Sequence, residues 1–251
     1  MKRALIAGCL LGAGFSAQAT PVETTAVSHM ESRTADPYRD PGLFGEYWWA
    51  NRFLSRHRLV ESYKGKTVDV VLIGDSIVHF WEKNHPASWG KLVQGRQVLN
   101  LGYGGDKTQN VIWRLEHGEL DGYVAKTIVL MIGTNNNSSD MSEPANVVEG
   151  IKRIVGLIRE KQSQAKIVLH PIFPRGASAD SKRHAAARVR NEKTNELLRA
   201  YAEKDGKLVW IDFNASFLDA TGWVPKALMA DEIHPSAAGY EIWLKALSSQ
   251  L

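Results

Sequence analysis

Short apolar runs recur along the chain, separated by stretches in which apolar positions return every three or four residues. The runs at 69–73, 97–101, 127–132, 166–170 and 207–211 are rich in Val, Ile and Leu and do not alternate with polar residues. Runs of that kind suit strands covered on both faces, as in a parallel sheet. Helical spacing is clearest after Pro144, where Val147, Ile151, Ile154, Val155 and Ile158 share one side. A second helix is predicted over 183–203, and a last one carries Tyr240, Trp243, Leu244 and Leu247. Residues 46–63 also read as a helix. There Tyr47, Trp48, Trp49, Phe53, Leu54 and Leu59 form an apolar side, and Arg52, Arg56 and Arg58 a wet one. The aromatic cluster on that helix reads as core packing. Strand–helix alternation of this kind predicts one α/β domain over 46–251, a three-layer α/β/α sandwich with about five parallel strands.

The beginning of the chain follows a different pattern. Lys2 and Arg3 precede an apolar stretch over 4–15, and Ala17-Gln18-Ala19 follows. A charged start, a short apolar segment and a small-x-small site predict a secretory signal over 1–19, cut before Thr20. The stretch is too short for a membrane span. Export to the periplasm or medium is expected. A lipid anchor at Cys9, from the run Ile6-Ala7-Gly8-Cys9, is the lesser reading because so few apolar residues precede it. Residues 20–45 are polar and Pro-containing and predict a poorly ordered leader.

Charge and cysteine content narrow the possible chemistry. The 251 residues carry a formal charge of +4, and losing Lys2 and Arg3 with the signal would leave +2. With no basic block, nucleic acid and anionic membranes are not implied as partners. Cys9 is the single cysteine and would leave with the signal. The mature chain then has no disulfide, thiolate nucleophile or cysteine-ligated metal.

Four short segments carry candidate chemistry: Gly74-Asp75-Ser76-Ile77, Gly102-Tyr103-Gly104-Gly105-Asp106, Gly133-Thr134-Asn135-Asn136 and Asp231-Glu232-Ile233-His234. Three follow predicted strands, and loops after parallel strands converge on one sheet edge. Each alone has a plain reading: a turn, a glycine loop, a strand exit, or an N-cap pair. The glycine loop lacks the third glycine of a dinucleotide fingerprint, where Lys107 stands, and there is no P-loop pattern.

Taken in order, with Trp113-Arg114-Leu115 and Pro174-Arg175-Gly176, these segments resemble the GDSL/SGNH hydrolases over most of 69–240. Within that family they look most like the acetylhydrolase-type catalytic subunits acting on platelet-activating factor. Ile77 replaces the usual leucine of the name motif. The resemblance implies a flavodoxin-like fold. It also implies Ser76 as nucleophile, His234 as base and Asp231 as its orienting acid. The oxyanion hole would be the backbone N–H groups of Ser76 and Gly105 with the Asn135 amide. Ile77, Thr134 and Ile233 match positions that bound a small acyl pocket.

Chemistry supports these roles residue by residue. Serine needs a base to take its proton, a carboxylate three residues before a histidine can fix its tautomer, and a neutral amide can donate to an oxyanion without losing a proton. His79, close to Ser76 in sequence, would point away from it on a helix starting at the serine. Asp75 is expected to tie the turn to nearby amides. Arg175 either borders the cleft or faces solvent, and Trp113 and Arg114 read as packing and surface.

The function expected is hydrolysis of short-chain, acetyl-like O-esters through a Ser-His-Asp acyl-enzyme, with no metal or organic cofactor. The substrate would be a small-molecule or glycan ester, with an acetylated carbohydrate suggested by export. A lysophospholipase or thioesterase is the alternative among enzymes. A glycan-binding module on a retired hydrolase scaffold and a nucleotide-binding flavodoxin-like protein are the alternatives of other classes. No Gly-x-Ser-x-Gly pentapeptide is present to support a nucleophile-elbow hydrolase. Oligomeric state is left open.

Overall fold

The computed structural model describes residues 48–139 and 141–251. The signal and leader expected over 1–45 lie outside the described residues. Five strands form one parallel sheet: β1 (Thr67–Gly74), β2 (Val98–Gly102), β3 (Val124–Met131), β4 (Lys166–Leu169) and β5 (Val209–Trp210), in the order β2-β1-β3-β4-β5. That is the flavodoxin-like order, whose crevice opens where the strand order reverses, between β1 and β3.

Helices α1 (Trp48–Ser62), α2 (Ser76–Asn84), α3 (Pro86–Val93), α4 (Thr108–Arg114), α5 (Thr134–Ser139), α6 (Pro144–Lys161), α7 (Lys182–Asp205) and α8 (Ala237–Ser248) lie between and around the strands. A π-helical turn, Leu115–Glu119, follows α4, and a 3-10 turn, Asn214–Phe217, follows β5.

Side chains alternate across each strand, so one run of apolar residues feeds two cores. Val71 and Ile73 of β1 with Ile128 and Leu130 of β3 pack against α1, α4, α6 and α7. Val70, Leu72, Val129 and Met131 face the other way, against Ile77, Val78 and Trp81 of α2, Leu92 of α3, and Tyr240, Trp243 and Leu247 of α8. Trp81 and Trp243 stack with centroids 4.6 Å apart and are fully buried. This is the expected three-layer sandwich.

The aromatic helix departs from its expected division into apolar and wet sides. Leu54 is exposed. Arg52, placed on the wet side by its charge, is half-buried, and its Nε donates to the carbonyl of Gly102 at 2.6 Å. Trp49 packs on Tyr103, Phe53 and Trp113 of its own domain. α1 therefore covers the carboxyl end of β2. No helix among the described residues is long and apolar enough to cross a membrane.

Candidate active site

β1 pairs with both neighbours to its last residue: Gly74 lies opposite Gly102 of β2 and Met131 of β3. Three strands thus end at one level, and their loops start together. A Cβ on Gly74 would lie 2.5 Å from the Met131 carbonyl and as close to Val78, so only glycine lets α2 fold back this tightly. Asp75 caps that helix, its Oδ1 accepting from the Ile77 amide at 2.9 Å. Ser76 is the first residue of α2, so its N–H has no acceptor within the helix.

Ser76 Oγ lies 2.8 Å from His234 Nε2, and His234 Nδ1 lies 2.6 Å from Asp231 Oδ2. The first of these joins residues 158 positions apart in sequence, the second residues three apart. Asp231 Oδ1 also accepts the amides of Ile233 at 3.0 Å and His234 at 2.8 Å. Burial alone would raise the Asp231 carboxyl, but the bonds from the His234 ring and amide hold it well below the usual carboxylate range.

The segment that carries this pair is tied down on both sides. Glu232 adopts φ 65°, a conformation uncommon for a residue with a side chain. Its carbonyl accepts from Gly176 N at 3.1 Å and its Oε2 from Ala177 N at 3.1 Å. Ser236 then caps α8, accepting from Gly239 N.

Opposite this segment lie the loops after β2 and β3. Gly105 has φ 70°, a left-handed conformation that glycine adopts without strain. Asn135 Nδ2 donates to the Asp106 carbonyl at 2.9 Å, which brings the Asn135 amide beside the glycine loop. The two following asparagines lock the loop to other elements. Asn136 Oδ1 accepts the Thr108 amide at 3.0 Å, and Asn137 Nδ2 donates to Asn191 and Thr194 of α7.

Arg175 is buried, which settles its open reading against solvent. Its guanidinium reaches Thr134 Oγ1 at 3.2 Å and His184 Nδ1 at 3.0 Å. Of the three residues expected to bound an acyl pocket, Ile77 and Thr134 are buried and Ile233 is half-buried. Ile77 belongs to the core beneath α2, and the Thr134 hydroxyl is engaged by Arg175 and Asn191.

Other titratable residues divide clearly. His79 stacks on Trp48, and burial, with Arg52 next in importance, lowers its imidazole to about 3. Burial pushes the Asp75 carboxyl up to about 7 against the pull of the Ile77 amide and His234. Phe80 packs beside the His234 ring, centroids 5.1 Å apart.

Arg114 corrects a sequence expectation. It is fully buried rather than on the surface, paired to Asp106 Oδ2 at 2.9 Å and to Glu119. Tyr103 also bonds Glu119, and the Arg114 guanidinium sits 3.9 Å from the Tyr103 ring centroid. A charge with no solvent must be paired or the fold loses several kcal/mol, roughly 3–5 when one partner of a buried pair is deleted. Nothing in the local sequence signals this, because the partners lie eight residues before and five after the arginine. Among the described residues, no group of three or more His, Cys, Asp or Glu is placed to hold a metal ion.

Comparison with known proteins gives a consistent result. A family described as GDSL-like Lipase/Acylhydrolase matches residues 72–242. The human platelet-activating factor acetylhydrolase IB subunit alpha1 is 36% identical over 195 residues, 78% of this chain and 80% of that one. The alpha2 subunit from Rattus norvegicus is 35% identical over 212 residues, 84% of this chain and 88% of its own length. A GDSL-like lipase from Bacteroides thetaiotaomicron superposes with TM-score 0.62 at 18% identity, covering 80% of this chain and 94% of the other.

Proposed function

Since the chain belongs to the GDSL-like lipase/acylhydrolase family and is a carboxylic ester hydrolase, we propose that it releases acetyl or similarly short acyl groups from O-esters. Ser76, His234 and Asp231 would carry the reaction. The observation that carries this reading is the unbroken chain from Ser76 Oγ to His234 Nε2 at 2.8 Å and from His234 Nδ1 to Asp231 at 2.6 Å.

In the proposed mechanism His234 Nε2 takes the hydroxyl proton as Ser76 Oγ attacks the ester carbonyl. Asp231 holds the ring with Nδ1–H toward the carboxylate and stabilises the imidazolium. Negative charge on the carbonyl oxygen is received by the N–H groups of Ser76 and Gly105 and the Asn135 amide. His234 then returns the proton to the departing alcohol. A water, deprotonated by the same ring, attacks the acyl-Ser76; the acyl–Oγ bond breaks, His234 returns the proton to Ser76 Oγ, and the acid is freed.

Chain length is argued from the residues beside each of these groups. Ile77, Thr134 and Ile233 flank Ser76, Asn135 and His234 in sequence, and the first two are buried with their surroundings filled. Taken as the wall of the acyl site, residues packed this way have little give for extra methylenes, which cost about 1–3 kcal/mol each when they clash. The relatives that share about a third of the residues are named acetylhydrolases. The alcohol portion is proposed to be a sugar, on the export expected from residues 1–19.

The test is a substrate panel with wild type and Ser76→Ala. It includes p-nitrophenyl acetate and octanoate, an acetylated xylose, and an acetyl glycerophospholipid. The acetate is expected to outpace the octanoate by at least about tenfold in kcat/KM, with Ser76→Ala inactive on all. Faster octanoate turnover rejects the short-acyl reading, and a strong preference for the phospholipid over the sugar rejects the glycan.

A further inference from the structure

We propose that Asp106 and Trp49 are positioning residues for the oxyanion pocket, and that α1 serves the reaction by supplying the indole that holds Asp106. The inference rests on the reading of Gly105 and Asn135 as oxyanion donors. A single residue is attached to both. Asp106 follows Gly105 in the chain, and its carbonyl accepts one hydrogen of Asn135 Nδ2 at 2.9 Å. That amide has two hydrogens, so fixing the first fixes the direction of the second.

The Asp106 side chain is fully buried, and each carboxylate oxygen has a donor from a different element. Oδ1 accepts from Trp49 Nε1 of α1 at 2.7 Å, and Oδ2 from Arg114 Nε of α4 at 2.9 Å. Neither donor is free to follow if the loop moves. Arg114 is held by Glu119 and lies over Tyr103. The Trp49 ring is packed among Phe53, Tyr103 and Trp113, at centroid distances of 5.7–6.0 Å. Rotating the Asp106 peptide would therefore break charge-assisted bonds in a site from which water is excluded, where such bonds are costly to lose.

Placement of this kind matters because oxyanion donors act through preorganisation, and an error near 1 Å in such a site costs about 10²-fold in rate. The arrangement also deals with a conflict of charge. An unpaired carboxylate one residue from Gly105 would oppose the developing oxyanion; Arg114 offsets that charge, and burial raises the Glu119 carboxyl that shares the same guanidinium.

The experiment measures kcat, KM and Tm for Trp49→Phe and Asp106→Asn, each in the wild-type and the Asn135→Ala backgrounds, with p-nitrophenyl acetate. Trp49→Phe keeps an aromatic ring and deletes the N–H. Asp106→Asn keeps the shape but turns an NH₂ toward one of two donors. In the wild-type background kcat is expected to fall about tenfold for Trp49→Phe and about 10–100-fold for Asp106→Asn, with KM within about twofold. In the Asn135→Ala background each loss should shrink by about threefold or more, because one of the two donors that Asp106 holds is gone and only the part exerted through Gly105 remains. Losses that persist in full in that background, or an unchanged kcat in Trp49→Phe, overturn the positioning role while leaving Asn135 as a donor. If Asn135→Ala alone keeps near-normal kcat, the donor reading fails, and this inference with it. Should Asp106→Asn not fold, the Trp49→Phe cycle decides alone, since a structural role would lower its Tm without the dependence on residue 135.

Discussion

The two sides of the serine are built on opposite principles. On one side, Asp231 and His234 sit on a loop before α8, with side chains 55% and 26% exposed. On the other, Asp106, Arg114 and Asn137 show no exposure, and Thr134 and Asn136 almost none. The exposed side moves protons and must meet water, since a hydrolase needs a water molecule at the base and an exit for the acid. Local bonds three residues apart are enough to hold it there, backed by the contacts of Glu232. The other side only has to present fixed dipoles: Gly105 and Asn135 are themselves half-buried, and the residues that hold them are the ones sealed from water. Its value grows as solvent is excluded, because screening falls and no reorganisation is needed as charge develops.

The largest expected effect tests the exposed side. Asp231→Asn keeps an oxygen for the Ile233 and His234 amides but no longer favours the Nδ1–H tautomer or the imidazolium. On p-nitrophenyl acetate kcat should fall about 10³–10⁴-fold with the fold intact. A loss below about tenfold would mean that water substitutes for the carboxylate, and the comparison between the two sides would then lose its meaning on this one.

The buried side comes next. Asn135→Ala removes one donor of three and should lower kcat by about 10²–10³ while KM changes little. Stopped-assay kinetics over a range of ester concentrations separate the two constants. An effect on KM alone would place Asn135 in ground-state binding and deny the buried side its special role.

The two sides were also unequally legible in the sequence. On the exposed side the reacting residues themselves stood in short segments, an Asp-x-x-His near the end of the chain and a serine behind the apolar run that became β1, and the family resemblance gave those segments their roles. The strands were legible for the same reason, because residues buried on both faces leave no alternation; β5, only Val209–Trp210, was the shortest of them. On the buried side the glycine and the asparagine stood in recognisable segments, but the supporting network did not. Arg114 has the letter of a surface residue, and its burial depends on Asp106 and Glu119, which a π-helical turn and a loop bring together. Arg52 was misplaced in the same way, since helical periodicity reports charge and not what the end of β2 offers it. Pairing across elements has no period, so only the folded arrangement shows it.

Asp75 lies at the seam between the sides, and there the expected effect is smallest. It is a buried carboxyl whose oxygen caps α2, and burial raises it from 3.8 to about 7. The folded chain therefore keeps a proton that the unfolded chain releases once pH passes about 4. Stability from this group is fully present below that point, declines as pH rises toward 7, and is constant above. Asp75→Asn can still accept the Ile77 amide but does not titrate. Between pH 5 and pH 8 the wild type should lose roughly 5 °C more in Tm than the variant, measured by thermal unfolding in matched buffers. Other buried acids, Glu119 among them, titrate in both proteins, so the difference between the two slopes isolates Asp75. Equal slopes would mean that the carboxyl keeps its ordinary affinity for the proton. Water would then reach the turn from the exposed side, and the boundary between wet and dry would lie one residue deeper than Ser76.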